Sequence, residues 1–286
     1  MTRTVWSRML AGEAREVAFT FEATVVDAVF VVGPAIVAAL AAVTAPRMAL
    51  LLAAVIALVG CVGLATAPAL SVSALGIETS GGERRHWLGP LRHGRVLAVL
   101  PVGMLAMGSI AVVEIATVGF AGQAGSRAAS GILLALLSVG GIAGGLCWAA
   151  RRQPGTHVMQ LAALLIVLAI TWFVLSLSTG IIVLAVLLIA GGLVMNPATT
   201  AQLATMSDLA PRRSLTEAFG WLGAATAAGE GLGAAASGVV VDLHPEYGFW
   251  LAAGMAATAA ALTCAFLIRR RSTSGGTNSR RNAVAR

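Results

Sequence analysis

Long apolar runs separated by short polar segments dominate the chain. Eight stretches, at about residues 18–43, 48–69, 95–120, 128–150, 158–178, 180–203, 215–241 and 248–268, are almost wholly apolar. Crossing ~30 Å of hydrocarbon takes about 20 apolar residues in a helix, because lipid offers the backbone no hydrogen-bond partner. Each stretch is therefore predicted to be a transmembrane helix. Residues 158–203 contain no charge, and at ~1.5 Å per residue a single helix there would be about twice as long as the membrane is thick. The chain is predicted to reverse near Ser178-Thr179-Gly180, where turn-forming residues gather.

The polar segments divide the chain further. Residues 1–17 are predicted as an N-terminal cytoplasmic segment, 70–94 as a cytoplasmic loop between two bundles, and 269–286 as a basic tail too poor in apolar residues to fold. Only Thr44 to Arg47 joins the first two spans, so they are expected to form a tight hairpin.

Composition agrees with a membrane protein: 58% of residues are hydrophobic and 11% charged. The net charge of +7 would suggest nucleic acid, but its distribution argues for topology instead. Every basic residue is arginine, and all but Arg47 and Arg127 fall in alternate inter-span segments. By the positive-inside rule both termini and the 70–94 loop lie in the cytoplasm, and nucleic acid is not expected as a partner. Cys61, Cys147 and Cys264 each lie within a span, which excludes a disulfide framework as the organising principle. The polar start, with Arg3, Arg8, Glu13 and Glu16, does not read as a cleavable signal peptide. Arginine without lysine, together with abundant Ala, Val and Gly, points to a bacterial cytoplasmic membrane.

One segment returns two hundred residues later. Ala18-Phe19 recurs as Ala218-Phe219, Gly33 with Ala35 as Gly233 with Ala235, and Leu51 with Ala53 as Leu251 with Ala253. The two copies sit six spans apart, as in a transporter built from two six-helix halves.

Gly33-Pro34, Gly140-Gly141-Ile142-Ala143-Gly144-Gly145, Arg151-Arg152-Gln153-Pro154-Gly155, Asn196-Pro197, Ala210-Pro211-Arg212-Arg213 and Glu217-Ala218-Phe219-Gly220-Trp221 together resemble the major facilitator superfamily, most closely its bacterial drug:proton antiporter branch. The resemblance spans residues 8–268. It implies an all-α polytopic fold whose eight helices correspond to helices five to twelve of twelve, with the first four lacking. Residues 18–69 would supply the last two helices of the N-terminal bundle, and 95–268 a complete six-helix C-terminal bundle. The implied activity is secondary transport, as proton-coupled efflux of a small organic molecule. The alternative is a non-transporting truncated remnant or scaffold that pairs with another chain.

Acids within spans mark candidate sites, since an ionised side chain near a helix centre costs about 2.5–3.5 kcal/mol on insertion scales. Glu230 lies mid-span between Gly229 and Gly231, Glu114 in the outer half of the third span, and Asp27 in the inner half of the first. These three are the candidates for substrate binding or proton coupling, while Glu22, near the cytoplasmic edge, is expected to reach water. Gly33, Pro34 and Pro197 are candidates for bending or rocking, because proline frees a backbone carbonyl within a helix; Pro101 does the same in the third span. Glycines at four-residue spacing, Gly140 with Gly144, Gly141 with Gly145 and Gly229 with Gly233, as well as Ala234 with Gly238, are expected to let helices pack closely. Trp172 and Trp221 are candidates to stack on a substrate, and Tyr247, Phe249 and Trp250 are expected to form an interfacial belt. His86, His93, His157 and His244 show no metal-ligand spacing, and no nucleophile elbow or phosphate loop is present. Neither a cofactor, a metal nor an enzymatic activity is expected.

Overall fold

A computed structural model of the chain describes residues 46–66, 91, 93–123, 125, 127–151, 154–211, 214–241 and 244–284. Among them every long element is a helix: α1 (Pro46–Thr66), α2 (Gly94–Gln123), α3 (Arg127–Ala149), α4 (His157–Leu175), α5 (Ile181–Leu209), α6 (Leu215–Val241) and α7 (Pro245–Val284). The chain divides into two compact units, Met1–His86 and Trp87–Arg286. The first contains α1, whose Leu51, Val55, Ile56, Leu58 and Val59 are exposed apolar side chains. The expected span at 18–43, with Asp27, Gly33 and Pro34, lies outside the described residues.

Six of the described helices are long and apolar enough to cross a membrane: Gly94–Gln123, Ala129–Ala149, His157–Leu175, Ile181–Leu209, Glu217–Val241 and Pro245–Ile268. Eight were expected from the hydropathy pattern. Helix α1, with 21 residues, overlaps the expected span at 48–69 and has the roughly 20 residues a crossing takes, and the remaining expected span is not among the described residues. All six lie in the second unit.

The polar breaks act as anticipated at one turn and differently at the C-terminal end. Between α4 and α5 the backbone N–H of Ser176 donates to the carbonyls of Phe173 and Val174, and the Ser178 hydroxyl donates to the Leu175 carbonyl at 2.8 Å. These bonds satisfy carbonyls that a helix end would leave bare and place the reversal at Ser176–Gly180. Gly155 precedes α4 with φ 85°, a left-handed conformation that glycine adopts without steric cost. Thr156 then caps the helix, its hydroxyl accepting from the Met159 N–H. At the other extreme, α7 continues past Ile268 to Val284, where a disordered tail was expected from 269. Once a helix is nucleated, each further residue adds one hydrogen bond for each residue fixed.

Packing in the second unit is organised by α2, whose principal neighbours are α6 and α7; α3 lies along α5, and α4 lies along α5 and α7. Glycines make the two tightest crossings. A Cβ on Gly233 would lie 2.5 Å from the Gly108 carbonyl oxygen, one on Gly108 would lie 2.9 Å from that of Gly229, and one on Gly229 would collide with the Met104 carbonyl. The second crossing sets Gly140 and Gly144 of α3 against the backbone at Ile189 and Leu193 of α5. In lipid, where helices gain little hydrophobic drive to associate, such backbone approach supplies dispersion contact. Gly238 differs from its expected role, for it faces open space.

The core gathers around Leu161, Leu165, Leu168, Trp172, Leu184, Leu188 and Phe249. Trp172, a candidate for substrate stacking in the sequence, is instead fully buried against Gly191, where an added Cβ would come within 2.5 Å of the indole. Phe249 is likewise a core residue at 0% exposure, whereas Tyr247 and Trp250 are half exposed. Only those two retain the surface position expected of the belt, and Trp250 packs edge-to-face on Phe173 with ring centroids 5.0 Å apart.

Candidate functional site

Two of the three acidic candidates lie on helices that pack against each other. Glu114 projects from α2 and Glu230 from α6, the pair of helices held in register by the Gly108, Gly229 and Gly233 crossing. Glu230 directly follows Gly229, so its backbone is fixed by the tightest contact between the helices. Both side chains are exposed on the second unit, each a carboxylate in a helix long and apolar enough to cross a membrane. Repulsion between like charges is strong where water is scarce, because the Coulomb energy scales inversely with the local dielectric constant.

Pro197, the described member of the bending candidates, is buried on α5. It follows Asn196, whose amide lies against Gly141: a Cβ there would sit 3.1 Å from Asn196 Nδ2. Pro101 is an exposed residue of α2, and Trp221 of α6 is partly buried.

The structure adds polar positions that reasoning about charge alone passed over. Gln202 of α5 is 4% exposed and reaches the α2 backbone, where a Cβ on Gly103 would lie 2.5 Å from its Nε2 and 2.9 Å from Leu222 Cδ1 of α6. A side-chain amide inside an uncharged apolar run, as at Asn196 and Gln202, was the available signal. Ser109 of α2 accepts a hydrogen bond from Trp172 Nε1 at 3.3 Å and donates to the Ala106 carbonyl at 2.7 Å. Thr117 and Thr205 have buried hydroxyls with no protein partner among the described residues. His157, at the first position of α4, has its Nδ1 2.7 Å from Asp208 Oδ2 at the end of α5. Spacing along the chain does not reveal that pair, since 51 positions separate its members.

Among the described residues, no group of three or more His, Cys, Asp or Glu side chains is arranged to hold a metal ion, and Cys61, Cys147 and Cys264 are free thiols.

The six apolar helices, packed through glycine crossings, define a multi-pass membrane protein. A family model described as the Major Facilitator Superfamily matches residues 99–285, which covers α2 to α7 and more than half of the chain. The protein belongs to that superfamily, a family of membrane transporters of small molecules rather than of enzymes. No curated protein and no solved structure matches the chain.

Proposed function

We propose that the protein is a proton-coupled exporter of a small organic molecule, and that Glu114 and Glu230 bind the coupling proton or a cationic group of the substrate. The observation that supports this reading is that two acids within membrane-crossing helices lie on the packed pair α2 and α6. Two acids so placed in a poorly hydrated region are unfavourable when both are ionised and bare. Either a proton or a cation relieves the repulsion, so replacing one by the other couples their movements. Alternating exposure follows from rocking of two helix bundles around a mid-membrane site, with Gly33, Pro34 and Pro197 as points of bending and Asp27 as a third acid on the pathway. In this reading the helices correspond to the fifth to twelfth of the family's twelve, and the protein lies in a bacterial cytoplasmic membrane with both termini inside. The arginine distribution supports that orientation.

The direct test is substrate export from proteoliposomes under an imposed proton gradient, comparing the wild type with Glu114→Gln and Glu230→Gln. Loss of gradient-driven export in either variant supports the assignment. Undiminished export in both overturns it.

A further inference from the structure

A polar cavity of about 280 Å³ opens where α3 ends, α4 begins and α5 ends, lined by Trp148, Arg151, His157, Gln160, Thr200 and Ala204 among others. We propose that it is a binding site for a phosphate-bearing anion at the membrane surface, supplied either by the headgroup of an anionic phospholipid or by a soluble organic phosphate. This proposal does not depend on the transport reading, for none of these residues is among the acids or prolines assigned above.

Depth is the first argument. Counting about 1.5 Å of rise per residue, Thr200 and Ala204 stand roughly 29 and 35 Å along α5 from Ile181, where ~30 Å of hydrocarbon ends. Trp148 comes at the end of α3, and tryptophan favours that same headgroup layer. The cavity therefore lies level with lipid phosphates and beside water.

Charge is the second. Arg151 is exposed and makes no ion pair among the described residues; its planar guanidinium matches two phosphate oxygens at once. His157 contributes to the wall, but its Nδ1 is committed to Asp208. That pairing also occupies the nearby carboxylate, which would otherwise repel an anion, and leaves Arg151 as the dominant charge at the cavity. Such basic pockets between helices suit anionic headgroups.

Size is the third. The volume falls just below the ~300–1,000 Å³ range of sites for drug-sized ligands and suits a headgroup or a small phosphate ester. The Gln160 Nε2 bond to the Pro154 carbonyl at 3.3 Å ties the loop ahead of α4 to the cavity wall, which keeps the opening in place without a ligand.

The test uses the full chain, purified in neutral detergent and stripped of lipid. Retention of phosphatidylglycerol and of zwitterionic phosphatidylcholine is read by native mass spectrometry, and binding of glycerol 3-phosphate by calorimetry. Arg151→Gln should weaken binding about tenfold, as expected for loss of one charge-assisted contact. Ala204→Leu, which fills the cavity without changing charge, should weaken it similarly, and Arg95→Gln, a charge loss elsewhere on the second unit, should not. Preference for phosphatidylglycerol that both cavity variants abolish assigns the site to lipid; glycerol 3-phosphate binding with no lipid preference assigns it to a soluble ester. The proposal is overturned if neither ligand binds, or if Arg95→Gln weakens binding as much as Arg151→Gln. Thermal unfolding of each variant shows whether it is folded, and the Ala204→Leu result decides the matter should Arg151→Gln fail to fold.

Discussion

Trp172 donates its indole N–H to the hydroxyl of Ser109 across 3.3 Å, and both residues are fully buried. That bond links α4 to α2 at the middle of the apolar core. It also explains why an indole was placed where a purely apolar ring would pack, since tryptophan's one polar group is costly when buried without a partner. Ser109→Ala removes the acceptor and is expected to destabilise the protein by about 1 kcal/mol, within the range found for interhelical hydrogen bonds in membranes. Adding Trp172→Phe should cost less than the sum of the single changes. Unfolding equilibria of the two single variants and the double variant measure the coupling, and strict additivity would contradict the bond's contribution.

The glycine crossing of α2 and α6 can be tested by position. Gly233→Ala places a methyl 2.5 Å from the Gly108 carbonyl oxygen, whereas Gly238 meets nothing within 4 Å. Overpacking of a close contact typically costs about 1–3 kcal/mol, and changes away from contacts stay within roughly 0.5 kcal/mol. Gly233→Ala should therefore lower the melting temperature clearly and Gly238→Ala hardly at all. Equal effects would show that helix propensity, not approach of the backbones, sets the outcome.

The exposure of Glu114 and Glu230 separates function from stability. Neither side chain is buried in the protein core, and changes away from core contacts stay within roughly 0.5 kcal/mol, so Glu114→Gln and Glu230→Gln should unfold no more readily than the wild type at neutral pH. If the acids couple transport, the same variants lose gradient-driven export. Loss of export together with marked destabilisation would instead place the carboxylates among the structural residues.

Much of this architecture is legible in the sequence, and the part that is not has one physical cause. Hydropathy located α2 to α6 to within a few residues at most ends, because the membrane imposes a length on every span. The turn at Ser176–Gly180 was equally plain, since no helix can continue uncharged for twice the membrane thickness. Which side of a helix meets protein was much less so. On α5, Leu184 and Leu188 are buried while Ile182 and Val186 are exposed, yet all four are equally apolar, for lipid and core make the same demand. Trp172, Phe249 and Gln202 were misjudged or overlooked for that reason. That Glu114 and Glu230 sit on packed helices depends on which helices pack together, a long-range property that local pattern does not encode. The small-residue spacing signalled the crossings themselves, but it did not tell Gly233 from Gly238.

Phe249 and Trp250 are neighbours in sequence with opposite environments, at 0% and 51% exposure. Truncating a fully buried aromatic residue typically costs about 3–5 kcal/mol, because the surrounding helices collapse only partly into the space. Phe249→Ala should approach that cost. Trp250→Ala forfeits chiefly its edge-to-face contact with Phe173, worth roughly 0.5–1.5 kcal/mol. Comparable losses for the two variants would argue against the inward placement of Phe249.

Thr205 offers a test in the opposite direction, since it predicts a substitution that does no harm. Its hydroxyl is buried without a protein partner among the described residues and borders a cavity of about 20 Å³ formed with Val99, Val102, Leu161 and Thr263. The Thr263 hydroxyl, on the other wall, is already committed to the Ala259 carbonyl at 2.8 Å. An unpaired buried hydroxyl costs about 1–3 kcal/mol relative to an apolar group of the same shape, so Thr205→Val should leave stability unchanged or raise it. Thr263→Val, by contrast, gives up a formed bond and should give no such gain. The cavity is also large enough, at more than the ~10–15 Å³ a water needs, to hold one between the two hydroxyls. Denaturant unfolding of both variants tells the cases apart: a gain from Thr205→Val marks an unpaired hydroxyl, and a loss of about 1 kcal/mol or more marks a water bridging Thr205 to α7.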